Sequence, residues 1–179
     1  MIRTTTQTQR QRGFSLVEIA VVVLVIALLA AVAIPAVTYW LEQYRLGFAA
    51  QQVADSLQST KMAAVAKTQK AALLFDVDGN RLGREGSTLA DLPAGVVFGL
   101  PEHATAPDAD VDMSGPVTFP VLPENGGLRA AAFTGRGLPD VDPGEVYAVF
   151  LTNSTGSSAV LMTSAGNVRI LNWDGERWK

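Results

Sequence analysis

The sequence lacks cysteine and has a single histidine, His103. Without cysteine there is no disulfide framework, so an exported domain of this chain would depend on packing alone. One histidine, in a proline-rich predicted loop, is poor material for a catalytic triad or a metal site, and His103 is expected to be exposed. The composition therefore favours a structural or binding protein over an enzyme, with no cofactor and no metal.

Charge is absent from residues 19–40, a run of 22 positions. As a helix this run would span about 33 Å, which is close to the thickness of the hydrocarbon core of a bilayer. The run therefore predicts one membrane-spanning helix. Residues 1–13 contain three arginines and no acid, which places the N-terminus in the cytoplasm and the rest of the chain across the membrane.

Acidic residues outnumber basic ones beyond the apolar run, with 16 Asp and Glu against 11 Lys and Arg from Tyr39 onward, a net charge of −5. That sign disfavours a general surface for binding polyanions. Arg169, Arg177 and Lys179 accompany two tryptophans near the C-terminus, a mixture that suits backbone contacts with nucleic acid. Acids are interspersed there, and nucleic acid is not an expected partner.

The N-terminal segment allows three interpretations. A secretory signal peptide has an acceptable small-x-small cleavage site at residues 31–33, but the apolar stretch is longer than the usual 7–15 residues and contains an acid, Glu18. A plain single-pass anchor accommodates the length and leaves Gly13, Phe14 and Glu18 unexplained. The third interpretation accounts for all of these features.

Residues 12–18, Arg-Gly-Phe-Ser-Leu-Val-Glu, resemble the processing site of type IV pilins and type II secretion pseudopilins. In that superfamily a prepilin peptidase cuts after the glycine on the cytoplasmic side and methylates the new N-terminus. The resemblance implies cleavage between Gly13 and Phe14, with Phe14 as the N-methylated first residue of the mature chain.

Glu18 then becomes the fifth mature residue. A carboxylate at the centre of a membrane helix costs about 2.5–3.5 kcal/mol, less near an end, so it is usually paired. The resemblance implies that Glu18 neutralises the N-terminal amine of an adjacent subunit, an ion pair that sets register more than it adds stability. The alternative is an interfacial acid that reaches water. Pro35 lies inside the span and is expected to kink the helix.

The helical pattern continues beyond the span. Apolar residues recur at spacings of three, four and seven, with most charges elsewhere around the helix. These apolar residues are Leu46, Ala50, Val53, Leu57 and Ala64. One helix is therefore predicted from about Phe14 to Gln69, with its first half in lipid or a filament core and its amphipathic second half against a globular domain.

The remaining residues predict six or seven short antiparallel strands separated by glycine and proline. The predicted strands are residues 71–75, 96–100, 117–122, 128–133, 146–151, 158–163 and 168–171, with Asp-Gly turn chemistry at residues 76–80. The fold class is α+β, a long N-terminal helix packed on a C-terminal antiparallel β domain.

The C-terminal strands resemble the domain shared by GspH, a minor pseudopilin of type II secretion, and FimT, its type IV pilus relative. The resembling features are a strand ending Phe-x-x-x-Gly at Phe133 and Gly137, and a hairpin ending Gly-x-Val-x-Ile at Gly166 and Ile170. Some FimT-type pilins bind DNA through Gly-Arg-x-Arg near this position, and here the first arginine is replaced by Asn167. Residues 83–127 are covered by neither resemblance.

In two acidic stretches, residues with carboxylate oxygens alternate with other residues, a spacing that could provide ligands for calcium. The stretches are residues 108–112 and 140–145. Neither completes an EF-hand loop, because Met113 stands where the glycine is required, and both are expected to be solvated loops.

Together these features predict four segments: a leader at 1–13, a membrane or filament-core helix at 14–40, its amphipathic continuation at 41–70 and a periplasmic GspH/FimT-like domain at 71–179. The resemblance implies a minor pseudopilin of the type II secretion system, in the bacterial inner membrane, with prepilin peptidase and other pseudopilins as partners. The alternatives are a FimT-type minor pilin in motility or DNA uptake, and a membrane-anchored binding domain that does not polymerise.

Overall fold

The structure, a computed structural model, describes residues 15–108 and 110–179, and of Pro35 and Glu124 the backbone alone. It divides into two units, Met1–Thr38 and Tyr39–Lys179. One helix, α1, runs over Leu16–Lys67, within two residues of each predicted end. It continues through Pro35.

The C-terminal end of α1 is fixed by local backbone geometry. Thr68 has a φ of 52°, in the left-handed region that ends helices. The Thr68 N–H donates to the Val65 carbonyl and the Gln69 N–H to the Ala64 carbonyl, both at 3.1 Å. These two bonds form a Schellman motif, which satisfies carbonyls left free at the end of the helix.

The second half of α1 packs on the β domain. The five residues of the predicted apolar stripe, Leu46, Ala50, Val53, Leu57 and Ala64, are all buried, and Ala49 and Ala54 join them. The small alanines let the backbone of α1 approach the sheets closely. Leu57, with no exposed surface, fills the space between α1 and the sheets. The predicted amphipathic face is confirmed.

Nine strands in the described part of the chain form two antiparallel sheets. The first sheet has the order β3-β2-β1-β6-β5 and the second β4-β7-β8-β9. Their bounds are β1 Ala71–Asp76, β2 Arg81–Arg84, β3 Ala90–Asp91, β4 Val97–Phe98, β5 Val121–Leu122, β6 Leu128–Phe133, β7 Val146–Thr152, β8 Ser157–Thr163 and β9 Val168–Trp173. A short 3-10 helix, Pro123–Asn125, precedes β6.

The main core lies between α1 and the inner faces of both sheets. Four aromatic rings cross it, with centroids 6.1 Å apart between Phe98 and Phe75, 5.6 Å between Phe75 and Phe119, and 5.3 Å between Phe119 and Tyr147. Because these rings come from the two sheets and the segment between them, they join separately hydrogen-bonded layers into one core.

The predicted α+β architecture is confirmed, and the strand prediction was wrong in detail at four places. Neither β2 nor β3 was among the predicted strands. The two-residue strands β3 and β4 are shorter than any periodicity can reveal. Of the predicted strand at 117–122 only β5 is a strand, since prolines at 116 and 120 interrupt the ladder and leave Val117 in an isolated bridge with Val149.

The segment at residues 83–127, which neither resemblance covers, has a packing role. Part of it lies on the outer face of the second sheet, where Val111 and Met113 pack with Phe150 and Leu161. Such a cover can be irregular because its position is set by the apolar sheet face beneath it rather than by its own backbone pattern.

Candidate functional site

The N-terminal segment contains the predicted processing and assembly residues. Gly13 and Phe14 lie outside the described residues. Ser15, the first described residue, accepts a 3.2 Å hydrogen bond from the Ile19 N–H through its carbonyl, and α1 begins at Leu16. In sequence, the predicted cleavage site therefore lies within three residues of the first helical turn.

Glu18 lies in the first turn of α1 and is exposed. Its apolar neighbours are also exposed, with Leu16 at 86% and Val17 at 68%. A negative charge in the first turn interacts favourably with the helix dipole. Within residues 15–108 and 110–179 no cation lies within 4 Å of this carboxylate, so its charge is open to a group from outside the described residues.

The apolar run is exposed in the described part of the first unit. Among the described residues α1 is the one helix long and apolar enough to cross a membrane, and the apolar window is not buried within the structure. The large side chains of this run, from Ile19 to Trp40, are between 47% and 77% exposed. Water does not favour so large an apolar surface, so it requires lipid or other helices around it.

Pro35 occupies the position predicted for a kink. The helical assignment is unbroken on both sides of it. Its ring nitrogen has no hydrogen to donate to the Ala31 carbonyl, so one backbone acceptor is left free inside the run. The kink itself stays a prediction.

The three C-terminal cations are each paired with a carboxylate. The Arg169 Nη2 lies 3.4 Å from Asp108 Oδ2. The Asp174 Oδ2 lies 2.7 Å from Lys179 Nζ and 3.9 Å from Arg177 Nε. The hydrogen bond from Lys179, followed by those from the Arg177 and Glu176 backbone N–H groups, holds the pKa of Asp174 well below its ordinary value. Nucleic acid phosphates would have to compete with these carboxylates.

The C-terminal tryptophans also have structural partners. The Trp178 ring lies 5.9 Å from Phe150 and 5.2 Å from Trp173, centroid to centroid, and its indole N–H donates to the Thr105 carbonyl at 2.8 Å. A tryptophan held in this way covers the second sheet rather than offering a free ring for base stacking.

The acidic stretches are engaged in local contacts. Asp112 accepts hydrogen bonds from the hydroxyl and the backbone N–H of Ser114, and these bonds lower its pKa. Asp140 pairs with Lys70 at 2.6 Å, and Glu145 accepts a 2.5 Å hydrogen bond from Tyr147. Residues 15–108 and 110–179 contain no cluster of three metal-ligating side chains.

His103 stands alone in an exposed turn with a φ of 61°. In the described part of the chain its side chain forms no ion pair and no hydrogen bond that could belong to a catalytic constellation. The turn, like the C-terminal cations, is a feature of the β domain and is remote in sequence from Glu18.

A contact that the sequence analysis missed ties α1 to the second sheet. The turn between β7 and β8 places Asn153 and Ser154 against Glu42, which accepts hydrogen bonds through its carbonyl and its carboxylate respectively. The Asn-Ser-Thr-Gly composition of residues 153–156 signals a turn. Nothing in that pattern identifies a partner 111 positions earlier.

Residues 8–34 match the family described as the prokaryotic N-terminal methylation motif. The matched stretch contains Gly13, Phe14 and Glu18, and it leads into a helix that packs on antiparallel sheets. The N-terminal segment of this chain thus carries the N-methylation motif of type IV pilins. That motif implies processing by a prepilin peptidase and assembly with other pilins.

A comparison with solved structures gave one match. The chain is similar to the type IV minor pilin FimU of Pseudomonas aeruginosa strain PAO1, with 15% sequence identity over 73% of this chain and 91% of that one, and a TM-score of 0.46. The comparison with curated proteins found no match. Choosing between a secretion pseudopilin and a pilus subunit therefore depends on this chain's own residues.

Proposed function

We propose that this chain is a minor pseudopilin of a type II secretion system, a structural subunit of the periplasmic pseudopilus, with no enzymatic role. The observation that carries the proposal is the contrast within α1. Its first half is apolar and exposed with Glu18 in the first turn, whereas its second half is buried on the β sheets. The first half requires neighbouring helices or lipid, and the second half has its partner in the same chain.

In this proposal residues 1–13 are a leader, 14–40 form the membrane and filament-core helix, 41–70 continue it, and 71–179 form the periplasmic domain. The N-terminus lies in the cytoplasm. Gly13 and Phe14 flank the cleavage site, Phe14 is methylated, and Glu18 pairs with a neighbour's N-terminal amine. The β domain presents its surface to other tip subunits.

Two glycines support the resemblance to the domain shared by GspH and FimT. A Cβ atom on Gly137 would lie 2.7 Å from Val65 Cγ2, and one on Gly166 would lie 3.2 Å from Lys61 Nζ. Both residues have positive φ values, 76° and 78°. The glycines of the Phe-x-x-x-Gly and Gly-x-Val-x-Ile patterns are therefore needed for turns that pack against α1.

Processing tests the proposal first. Co-expression with a prepilin peptidase should remove 13 residues and leave methylated Phe14 at the N-terminus, as read by intact-mass measurement. Gly13→Ala should reduce this cleavage. Cleavage after Ala33 would instead establish a secretory signal peptide and refute the proposal.

Assembly tests the role of Glu18. Glu18→Gln should insert and be processed normally but lose crosslinking to partner pseudopilins in membranes, because the neighbour's ammonium would be left unpaired. Breaking a buried pair costs about 3–5 kcal/mol, enough to reduce recruitment a hundredfold or more. Normal crosslinking by Glu18→Gln would show that the carboxylate only reaches interfacial water.

The machine is identified by gene deletion in the host. Loss of this chain should reduce extracellular levels of type II substrates while twitching motility and DNA uptake continue. The opposite result would identify a FimT-type minor pilin. A processed chain that crosslinks to no other subunit would indicate a membrane-anchored domain that does not polymerise.

A further inference from the structure

Two depressions lie along the boundary between α1 and β9, the edge strand of the second sheet. The larger, of about 560 Å³, is lined by Leu57, Met62 and Val168 among others. The smaller, of about 330 Å³, adjoins the other end of β9 at Asn172 and Trp173. We call the two depressions and the β9 edge between them the β9 groove.

The free edge of β9 already accepts a strand at one end. The Asn172 N–H donates to the Lys179 carbonyl at 2.8 Å, and the Lys179 N–H donates to the Asn172 carbonyl at 2.9 Å. The last residues of the chain thus run antiparallel beside β9, and Trp178 bridges Trp173. This pairing shows that the edge has the geometry of an antiparallel ladder.

The rest of the edge is open. Alternate residues of a strand direct their N–H and C=O groups to the same side, so Val168 and Ile170 point theirs outward as Asn172 does. In the described part of the chain no backbone hydrogen bond reaches that side at Val168 or Ile170. An unprotected edge of this kind is a template for another strand.

One uncompensated cation lies at the larger depression. Lys61 is half-buried there, and its ammonium lies 3.5 Å from the Gly166 carbonyl oxygen. No carboxylate lies within 4 Å of Lys61 in residues 15–108 and 110–179. A positive charge without a counter-charge at this place favours an acidic partner.

We propose that the β9 groove binds an extended acidic segment of another protein by strand addition. The segment runs antiparallel to β9 in line with residues 177–179. Its backbone pairs with Val168 and Ile170, its apolar side chains cover Met62 and Val65, which are exposed, and a carboxylate meets Lys61. Residues 168–171, the part of β9 that is not already paired, give it about 13 Å of ladder.

Charge argues against a second copy of this chain as the occupant. The β9 sequence, Val-Arg-Ile-Leu-Asn-Trp, contains no acid. Pairing two β9 strands would bring the lysines of both grooves together without a counter-charge, which is unfavourable. The proposal concerns the isolated chain and needs neither filament assembly nor a particular machine.

The test uses the full chain in detergent micelles and two synthetic seven-residue peptides of alternating valine and threonine. One peptide carries a glutamate on its valine face, and the other a lysine at the same place. At low salt the glutamate peptide should bind at least about fivefold more tightly, the value of a partly exposed ion pair. Amide exchange at Val168 and Ile170 should slow, while that of Leu171, already bonded to β8, should not change.

Charge reversal supplies the control. Lys61→Glu should prefer the lysine peptide, and Lys61→Gln should bind the two peptides alike. Lys67→Glu makes the same charge change outside the groove and should keep the wild-type preference. Equal binding of both peptides by the wild type, binding of neither, protection at other amides, or self-association that Lys61→Glu abolishes would each overturn the proposal.

Discussion

The side-chain amide of Asn153 donates a 2.8 Å hydrogen bond to the backbone carbonyl of Glu42, across 111 positions of sequence. The Asn153 Oδ1 accepts from the backbone N–H groups of Thr155 and Gly156 and from the Thr155 hydroxyl. One side chain thus shapes the turn between β7 and β8 and joins that turn to α1. Ser154 adds a bond to the Glu42 carboxylate.

Asn153→Ala should therefore lower the free energy of unfolding by about 1–3 kcal/mol, because it leaves several part-buried donors and a carbonyl unsatisfied. Ser154→Ala removes one exposed hydrogen bond and should cost less than about 1 kcal/mol. Urea unfolding of the full chain in detergent micelles measures both. Equal losses would show that the Asn153 network does not hold the turn on the helix.

Leu57 tests the packing of α1 on the sheets. Leu57→Asp should destabilise the fold by more than about 3 kcal/mol, because it buries an unpaired charge where no surface is exposed. Met62→Asp is the matched change on the same helix, at a side chain that is 66% exposed, and should have little effect. Thermal unfolding compares the two variants. Similar melting temperatures would contradict the described interface.

Gly135 tests a close approach of two backbone segments. A Cβ atom there would lie 2.6 Å from the carbonyl carbon of Thr68, which is part of the backbone and cannot turn aside. Gly135→Ala should cost about 1–3 kcal/mol by forcing the loop away from the end of α1. Gly115→Ala, with no atom within 4 Å of the added carbon, is the control and should unfold at nearly the wild-type urea concentration.

The raised pKa of Tyr147 predicts that the folded chain loses stability at high pH. Burial, followed by the hydrogen bond to Glu145, raises the pKa of its hydroxyl from 10.0 to about 12. Between these two values the folded chain retains a proton that the unfolded chain has released, so the free energy of unfolding falls as pH rises. Below pH 10 the Tyr147 hydroxyl makes its full contribution to the free energy of unfolding.

Tyr147→Phe should flatten this decline between pH 10 and 12, measured by urea unfolding at a series of pH values. Tyr44→Phe, at a position that is 68% exposed, provides the control and should leave the decline unchanged. The same slope in both variants and the wild type would show that the Tyr147 proton is not linked to folding.

Periodicity predicted the elements that are long or that face a core on one side. The stripe from Leu46 to Ala64 repeats at helical spacing, and β6, β7 and β8 are rich in apolar residues, so each shows its structure locally. The two-residue strands β3 and β4 contain no repeat of any kind. They exist because a neighbouring strand offers them backbone partners.

The candidate site divides in the same way. The sequence predicts roles for Gly13, Phe14 and Glu18, because the motif that contains them is a short continuous stretch, and these roles stay predictions. It could not reveal that Arg169 and Lys179 would be paired with carboxylates. Ion pairs of this kind depend on which loops are brought beside which strands.

By itself the sequence determined the long helix, its apolar and amphipathic halves, the strand-rich second half and the N-terminal motif, because each of these is set by neighbours within a few positions of the chain. Only the tertiary structure decided the division into two sheets, the attachment of Asn153 to Glu42 and the open edge of β9 beside Lys61. These relationships join residues far apart in sequence, and they arise from the way in which apolar faces are buried together when the chain packs.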